Sequence, residues 1–336
     1  MKHYLQKQWR AGSPWQVVLA PLAMLFMGLL AIRKALYRHG WLKSTRLSVP
    51  LIVVGNITLG GTGKTPMVIY LAEQLQTAGF KPGIISRGYG GKLKLPTPVF
   101  AHSNPGLVGD EPVLIAKRTA CPVFIGANKV QVGLALLQAN PQCDVIISDD
   151  GLQHYALQRD VELVMVDASA KFGNQRFLPA GPLRESVSRL KHVDAVVITG
   201  DQAADLPDGL SLPWFSMRLL GNRFYSLGGA QMPRLACDFV GKPMVAIAGI
   251  ANPQRYFDQL SALGLQFEPK AYPDHYNFSA EELAQHSGKT VLMTEKDAVK
   301  CAEFSVLDAW YLPVSASLSS APDVNFISYI LQKLRS

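Results

Sequence analysis

The first fifty residues of this 336-residue chain contain no aspartate and no glutamate. They carry basic residues instead: Lys2, Lys7, Arg10, Arg33, Lys34, Arg38, Lys43 and Arg46. Because the whole chain has 33 Lys and Arg against 25 Asp and Glu, the net charge of +8 lies entirely in this segment and the remainder is neutral. A neutral body argues against nucleic acid as a partner, whereas a basic arm is typical of a segment close to a membrane.

Cysteine is scarce as well, and no two cysteines form a C-x-x-C motif. The four thiols are Cys121, Cys143, Cys237 and Cys301. This scatter predicts reduced, mostly buried thiols in a cytosolic compartment. The chain also lacks internal repeats and low-complexity tracts, and its length favours two domains.

Charged residues are missing between Ala11 and Ile32, a run of 22 residues. In a helix this run would extend ~33 Å, enough for a hydrocarbon core of ~30 Å. Its strictly apolar part is shorter, Val17–Ile32, and contains Pro21 and Gly28. We interpret the run as a retained membrane anchor that spans the bilayer or lies in its interface. A signal peptide is disfavoured because no small-x-small cleavage site follows, and a buried core helix is the other alternative.

Short apolar segments alternate with amphipathic ones after this run. The apolar segments predict strands at Pro50–Gly55, Pro82–Ser86, Pro122–Ile125, Asp144–Ser148, Leu163–Asp167 and Ala195–Thr199. The amphipathic segments predict helices at Thr65–Thr77, Glu111–Arg118 and Lys129–Gln138. Nearly continuous apolar strands that alternate with helices predict an α/β fold, in which helices cover both faces of a parallel sheet.

The pattern changes around residue 200 and then resumes. Residues 201–214 are rich in Pro and Asp, and two strand-like segments flank Gly221-Asn222, which is a hairpin signal. The second alternation predicts a strand at Met244–Ala248, a helix at Pro253–Leu263, a strand at Thr290–Thr294 and a final helix at Val324–Leu334. We therefore divide the chain into a basic N-terminal membrane anchor (1–48), a core domain (49–212), a linker hairpin (213–242) and a smaller C-terminal α/β domain (243–336).

A glycine-rich segment follows the first predicted strand and opens the first helix of the core domain. Its residues are Thr58, Leu59, Gly60, Gly61, Thr62, Gly63, Lys64 and Thr65. Backbone N–H groups in such a loop face an anion, Lys64 reaches the β- and γ-phosphates, and Thr65 can bind Mg²⁺. Thr58 stands where the usual G-x-x-x-x-G-K-[ST] pattern has glycine. The strand–loop–helix context nevertheless predicts a P-loop with ATP and Mg²⁺ as cofactors, rather than a plain glycine turn.

Acidic residues follow another buried strand, in the segment CDVIISDDGLQH. Asp149 and Asp150 end this strand, at the sheet edge where the P-loop also opens. Carboxylates in this position hold Mg²⁺ directly or through water in P-loop enzymes. The alternative is an exposed Asp-Asp-Gly turn.

Further charged residues lie in predicted loops, where a plain structural role competes with a functional one. Arg87 could contact phosphate or a polar substrate, and Asp110 could be a general base or only a helix N-cap. Arg184 and Glu185 suit charge or metal contact, and His275 lies between a carboxylate and aromatic residues. Residues 294–300, TEKDAVK, are predicted to form a solvated charged turn.

The segments GNITLGGTGKTP, SRGYGG, GDEP, DDGLQH, LPAGPLRE, GIANPQRYF, DHY and TEKDAVK occur in this order behind the basic arm. Together they closely resemble the tetraacyldisaccharide 4′-kinase family, the lipid A 4′-kinases, over nearly the whole chain. The resemblance implies transfer of the ATP γ-phosphate to the 4′-hydroxyl of a tetraacyldisaccharide 1-phosphate, which gives lipid IVA. It also implies a P-loop NTPase-like parallel-sheet domain and a second, smaller α/β domain, joined by a two-stranded linker. The expected location is the cytoplasmic face of the inner membrane, with the acylated lipid as substrate and no obligate protein partner.

The resemblance also implies roles for single residues. Asp110 matches the catalytic Asp of the family, and His275 matches the His that forms a dyad with it. Lys64 and Thr65 match the phosphate and Mg²⁺ residues. The acidic metal group corresponds to Asp149, Asp150 and Glu185, and Arg184 corresponds to a substrate- or phosphate-contacting Arg. Where the family often has an Arg before the Asp-Asp-Gly strand, this chain has Lys129, whose role stays open.

Two other functions remain as alternatives. A membrane-tethered P-loop ATPase that forms no lipid product would account for the loop, the acidic pair and the anchor. It would not account for Asp110 and His275. A cytosolic P-loop kinase of a small metabolite, with residues 11–32 as a core helix, is the third possibility.

Overall fold

The structure is a computed structural model that describes Trp9 and residues 14–200, 212–229, 231–304, 308–319 and 325–335. The basic residues Lys2, Lys7 and Arg10 lie outside the described residues, as does the Pro- and Asp-rich segment 201–211. Within the described residues the chain forms strands β1 to β15: Leu51–Gly55, Pro82–Ser86, Thr97–Val99, Val123–Ile125, Val145–Asp149, Val161–Asp167, Ala195–Thr199, Trp214–Leu220, Arg223–Ser226, Arg234–Leu235, Met244–Ala248, Glu268–Ala271, Thr290–Thr294, Ala309–Leu312 and Ser315–Ser319.

The helices of the same residues are α1 to α10: Trp15–Val18, Ala20–Arg38, Lys64–Thr77, Pro105–Val108, Asp110–Thr119, Lys129–Ala139, Pro253–Ala262, Ala280–Ala284, Glu295–Cys301 and Phe326–Arg335. Five of them, α3, α5, α6, α7 and α10, begin and end within two residues of the predicted bounds. Helix α9 differs in kind from the prediction, because residues 294–300 were expected to form a solvated turn. The Thr294 hydroxyl accepts a hydrogen bond from the Asp297 N–H and caps this helix, whose Glu295 and Asp297 side chains are buried.

The first sheet has the order β15-β8-β7-β6-β1-β5-β2-β4-β3. All strands from β8 to β4 are parallel, and only the edge strands β15 and β3 run antiparallel. Every residue of β1, β5, β6 and β7 is buried, because helices pack on both faces. Strand β1 lies between β5 and β6, so the loops that follow these three strands meet at one edge.

The second sheet is smaller and has its own cores. Its order is β10-β9-β14-β13-β11-β12, with parallel strands from β14 to β12 and antiparallel β9 and β10. Trp310, Phe224 and Phe239 pack together on one face with α7. The prediction of an α/β fold with a large parallel sheet and a second, smaller sheet is therefore confirmed.

The link between the sheets differs from the predicted hairpin. Strands β8 and β9 do flank Gly221, but they do not pair with each other: β8 pairs with β7 and β15, and β9 pairs with β10 and β14. The link is two-stranded because β8–β9 runs beside β14–β15. Each strand satisfies its backbone hydrogen bonds in a different sheet, and the apolar side chains follow, with Phe215 in the first core and Phe224 in the second.

The C-terminal end returns to the first sheet, which corrects the predicted domain of residues 243–336. Strand β15 is the edge strand beside β8, and α10 packs Phe326 and Ile330 into the first core. The Phe326 ring meets Phe215 edge-on at 4.9 Å. The physical reason is that the amphipathic helix α10 has one apolar face, and the first sheet offers the apolar surface that buries it.

The N-terminal helix α2 lies on the outside of the molecule. Among the described helices it is the one long and apolar enough to cross a membrane. Only 6% of its most apolar 18 residues are buried inside the protein. Leu22, Leu25 and Leu29 are all more than half exposed. Among the described residues, Phe177 and Ala180 of the loop after β6 line a shallow surface pocket together with Met24 and Met27 of this helix. Within the described residues, most of the surface of this apolar helix is therefore left uncovered by protein.

The assignment of α10 to the first sheet predicts the effect of a core truncation. Ile330→Ala removes a fully buried side chain and should lower the free energy of unfolding by about 2–5 kcal/mol. Amide hydrogen exchange should report lost protection in β6 and β7 rather than in β11 and β13. The exposed neighbour Gln332 supplies the control, because Gln332→Ala should change the free energy by no more than about 0.5 kcal/mol. Loss of protection confined to the second sheet would contradict this assignment.

Candidate active site

The predicted phosphate-binding loop, residues 58–65, leaves β1 and enters α3. Gly60 and Gly63 have φ values of 132° and 83°, in the region that glycine adopts without strain. A Cβ atom on Gly63 would lie 2.8 Å from Met217 Cε. The Thr199 hydroxyl donates a hydrogen bond to the Thr62 carbonyl at 2.9 Å, so β7 and β8 support the loop from behind. No side chain caps α3, which leaves its first N–H groups free to bind a phosphate.

Asp150 lies opposite the lysine of this loop. Lys64 Nζ is 3.8 Å from Asp150 Oδ1, and Arg184 Nη1 is 3.0 Å from the same oxygen. Burial alone would raise the pKa of Asp150, but the charges of Lys64 and Arg184 hold that pKa well below its usual range. Asp150 is therefore ionised at neutral pH and holds both cations at the end of β5.

Asp149 is buried at the end of β5 and has one unpaired oxygen. The Ser86 hydroxyl donates to Oδ2 at 3.0 Å, whereas Oδ1 has no hydrogen-bond partner among the described residues. Burial, followed by the charge of nearby Glu111, raises the pKa of Asp149 to about 6. A buried carboxylate oxygen without a partner is costly. A divalent cation would supply that partner, so the residues present fit such an ion.

Metal ligands are not gathered into a complete protein cage. No group of three His, Cys, Asp or Glu side chains that could hold an ion occurs in the part of the chain that the structure describes. Mg²⁺ commonly binds to one or two carboxylates together with phosphate oxygens and water. An ion held by Asp149 and the Thr65 hydroxyl together with the nucleotide would match this pattern.

Lys129 supports the acidic turn from within the core. Its side chain is fully buried, and Nζ donates hydrogen bonds to the Ser148 hydroxyl at 2.9 Å and to the Asp149 carbonyl. Burial lowers the pKa of Lys129 to about 8, against the opposing charges of Asp149 and Asp150. The structure therefore connects the residue whose role the sequence left open to the acidic turn.

Asp110 and His275 meet although they belong to different sheets. His275 Nδ1 lies 2.9 Å and 3.0 Å from the two carboxylate oxygens of Asp110. Asp110 is 4% exposed. Burial alone would raise the pKa of Asp110, but the hydrogen bond from His275 and the charge of Lys296 lower it. An ionised carboxylate can only accept, so the Nδ1–H of His275 is the donor.

Tight glycine packing brings Asp110 to this position. A Cβ on Gly109, which precedes Asp110 and has φ 96°, would lie 2.7 Å from the Tyr89 carbonyl. A Cβ on Gly91 would lie 2.5 Å from the Leu107 carbonyl. The segment after β2 and the segment before α5 are therefore in backbone contact, which places Asp110 beside the loop of a central strand.

The second sheet also approaches the phosphate-binding loop directly. A Cβ on Gly61 would lie 3.0 Å from the Ala251 Cβ, in the loop between β11 and α7. Arg255 of α7 forms an ion pair with Asp167, at the end of β6, with a distance of 2.6 Å. The nucleotide loop is therefore bordered by both parts of the molecule.

Two of the predicted residues are placed differently from the others. Arg87 is exposed, yet its charge helps to lower the pKa of Lys129, so it lies near the acidic turn without contacting it closely. Glu185 is buried and both of its oxygens accept hydrogen bonds, from Gln153 at 3.0 Å and from Tyr155 at 2.5 Å. The structure thus brings Glu185 to a network of protein donors rather than to the pair Asp149–Asp150.

Two residues near the site were missed by the sequence reasoning. Ser86 holds Asp149, and the signal available was its place at the end of a buried strand just before Arg87. Lys296 contacts the Asp110 cluster, but its segment was predicted to be a solvated turn. The carboxylates that change this interpretation include Asp110 and Glu111 of α5, and no local pattern reveals them.

The chain matches known proteins over nearly its whole length. A family model described as tetraacyldisaccharide-1-P 4′-kinase matches residues 15–335. The tetraacyldisaccharide 4′-kinase of Azoarcus sp. (strain BH72) is 50% identical over 312 residues, which cover 93% of this chain and 91% of that protein. The enzyme of the same name from Methylobacillus flagellatus is 45% identical over 318 residues, 95% of this chain and 93% of that protein.

A solved structure matches as well. It is the crystal structure of LpxK from Aquifex aeolicus in complex with ATP, with a TM-score of 0.80 and 28% identity. The match covers 95% of this chain and 99% of that chain. The chain therefore belongs to the tetraacyldisaccharide 4′-kinase family.

Proposed function

We propose that this protein transfers the γ-phosphoryl group of ATP to the 4′-hydroxyl of a tetraacyldisaccharide 1-phosphate, giving lipid IVA in lipid A synthesis. Family membership supports the reaction and the substrate. The observation that carries the proposal is the buried Asp110–His275 pair, which a nucleotide switch or motor would not need. Such a pair suits the deprotonation of an acceptor hydroxyl.

The phosphate-binding loop holds the triphosphate in this proposal. The N–H groups at the start of α3 and the Lys64 ammonium neutralise the phosphate oxygens. Asp150 and Arg184 keep Lys64 in place and complete a charged cluster at the strand ends. The related structure in complex with ATP supports ATP as the nucleotide.

A magnesium ion would be held by Asp149 and Thr65, with Asp150 nearby. When bound, Mg²⁺ neutralises phosphate charge that develops during transfer. The unpaired oxygen of Asp149 supports this assignment. Glu185 fits it less well, because Gln153 and Tyr155 already donate to its two oxygens; we assign Glu185 to the support of the site.

Asp110 acts as the general base toward the 4′-hydroxyl. As the hydroxyl oxygen attacks the γ-phosphorus, its proton moves to the Asp110 carboxylate, the bond to the β–γ bridging oxygen breaks, and ADP leaves. His275 donates its Nδ1–H to this carboxylate and fixes its orientation. Because His275 lies in the loop after β12 of the second sheet, we propose that the approach of the second sheet to the first completes the site by bringing His275 to Asp110.

The N-terminal helix would bring the enzyme to its substrate at the membrane. The substrate named by the family is acylated, so it resides in a bilayer. The exposed apolar residues of α2 and the basic residues that follow them suit an anionic membrane surface. We propose the cytoplasmic face of the inner membrane as the location, since more basic residues follow the apolar run than precede it.

A membrane-tethered ATPase without a lipid product is the competing function. It predicts ATP hydrolysis that ignores the lipid. The kinase predicts ADP formation that depends on the tetraacyldisaccharide 1-phosphate and matches phosphorylated lipid mole for mole. Phosphate release without labelled lipid, from [γ-³²P]ATP and mixed micelles, would exclude the kinase.

Removal of the proposed base tests the mechanism. Asp110→Asn should lower kcat by about 10²–10⁴-fold, because the amide cannot accept the hydroxyl proton, while ATP binding measured by calorimetry stays unchanged. Asp258→Asn, an exposed carboxylate on α7, is the matched control and should retain wild-type kcat. Near-normal turnover of the Asp110 variant would remove this residue from the proton transfer.

The proposed ion makes a prediction about Ser86. Ser86→Ala removes the donor that orients Asp149, and loss of such an outer ligand partner should weaken Mg²⁺ affinity by about 10–100-fold. The measurement is the Mg²⁺ concentration needed for half-maximal ATP binding, read by calorimetry, with the exposed Ser287→Ala as control. An unchanged Mg²⁺ requirement would argue that Asp149 is not a ligand.

Membrane attachment through α2 predicts the effect of a single charge. Leu25→Asp places a carboxylate at a position that is 61% exposed in the middle of α2. Since a buried Asp costs about 2.5–3.5 kcal/mol there, binding to vesicles of phosphatidylethanolamine and phosphatidylglycerol should weaken by about 100-fold. Leu134→Asp changes a leucine that is 51% exposed on α6, and it should leave vesicle co-sedimentation unchanged. Equal binding by both variants would exclude α2 as the anchor.

A further inference from the structure

Lys296 lies where three carboxylates from both sheets meet. Its Nζ is 2.8 Å from Glu111 Oε1, 3.5 Å from Asp274 Oδ1 and 4.0 Å from Asp110 Oδ2. The side chain is 16% exposed and that of Asp110 is 4% exposed. Lys296 lies on α9, which packs on the second sheet. Asp110 and Glu111 begin α5, which packs on the first sheet. A single ammonium group therefore balances acidic groups on both sides of the contact.

Besides Lys296, one more lysine and two carboxylates lie around Asp110. His275 and Asp274 approach from the loop after β12, Glu111 from the same helix, and Lys296 and Lys300 from α9. Lys300 lies 2.7 Å from the buried Asp297, so its charge is largely compensated by that carboxylate. Lys296 is thus the lysine that pairs directly with Asp110, and it shares its charge with Glu111 and Asp274.

The electrostatics of the pair agree with this geometry. Burial alone would lower the pKa of Lys296, but Glu111, Asp110 and Asp274 raise it above its ordinary value, so the ammonium stays protonated. The same charge helps to lower the pKa of Asp110. Removing one partner from a buried charged cluster leaves the others uncompensated, which disfavours their charged forms.

We propose that Lys296 is a positioning residue that keeps Asp110 ionised and seats the second sheet against it. This inference rests on the proposed function of Asp110 as the base. Lys296 has no contact with a reacting atom in this scheme. It acts through Asp110, since the carboxylate can take a proton from the 4′-hydroxyl only while it carries its charge. The approach of α9 to α5 therefore completes the site in two ways, by bringing His275 to Asp110 and by bringing the cation that holds Asp110 ionised.

The test is the pH dependence of kcat/KM for Lys296→Met. On the acidic limb of this pH profile, activity falls because Asp110 becomes protonated. Loss of a cation about 4 Å from Asp110 should move this limb upward by about one pH unit. Phosphorylated lipid formation should then fall about tenfold at a pH below the wild-type limb and recover toward the wild-type value as the pH is raised. The KM for ATP should stay unchanged, because the phosphate-binding loop is not touched. Lys296→Arg, which keeps the charge, should restore the wild-type limb.

Arg118→Met is the matched control. Arg118 Nη1 pairs with Glu295 Oε2 at 2.8 Å and joins the same two helices, but it has no contact with Asp110. This variant should lower the melting temperature and leave the acidic limb in place. A limb that stays at its wild-type pH in Lys296→Met, or that moves equally in Arg118→Met, would overturn the proposal. So would a loss of activity that high pH does not restore.

Two further outcomes remain decisive. If Lys296→Met does not fold, as judged by circular dichroism, Lys296→Arg decides alone: a wild-type limb supports the role of the charge, and a shifted limb overturns it. Failure of the proposed function is recognised separately, because the wild-type enzyme would then form no phosphorylated lipid at any pH.

Discussion

The hydrogen bond between His275 and Asp110 joins two parts of the molecule that have separate hydrophobic cores. Its donor and acceptor must keep a separation near 2.9 Å, yet each is fixed by packing in a different sheet. The rest of the architecture can be understood from this constraint. The strands β8–β9 and β14–β15 run side by side from one sheet to the other, and ion pairs between the sheets, Lys296–Glu111, Arg118–Glu295 and Arg255–Asp167, surround the contact. The bridging strands and the ion pairs together hold the two sheets in the arrangement that this hydrogen bond requires.

Charge balance also determines the arrangement at the end of β5, where Asp149 and Asp150 lie. Asp149 and Asp150 are adjacent in sequence, but their surroundings separate them: Asp150 is held by Lys64 and Arg184 and stays ionised, whereas Asp149 is buried with an unpaired oxygen and has a raised pKa. Lys129 lies beneath both and ties the turn to the core. The two carboxylates are therefore suited to different tasks, one in fixing cations of the protein and the other in receiving a cation with the nucleotide.

The N-terminal helix is connected to Asp150 at the end of β5 through a network of contacting side chains. Lys34, near the end of α2, lies 2.6 Å from Glu185, whose oxygens also accept from Gln153 and Tyr155. Glu185 is the neighbour of Arg184, which binds Asp150. A helix that would sit at a lipid surface is thus connected, through residues in direct contact, to the strand ends where a phosphate would bind. This arrangement fits an enzyme that must present a water-soluble nucleotide to a lipid headgroup.

Local and periodic features could be predicted from the order of the amino acids. Apolar strands such as β1 and β5, the glycine loop before Lys64, the acidic pair at the end of β5 and the exposed apolar helix were predictable because each is encoded within a few consecutive residues. Features that depend on residues far apart in the chain became evident only from the packing of the folded molecule. The strands around Gly221 separated into two sheets, the C-terminal helix returned to the first core, and residues 295–301 formed a buried helix instead of a solvated turn. In each case the outcome depends on a surface that buries an apolar face or on a group that neutralises a charge. The Glu111 carboxylate that neutralises Lys296, for example, lies 185 residues away along the chain.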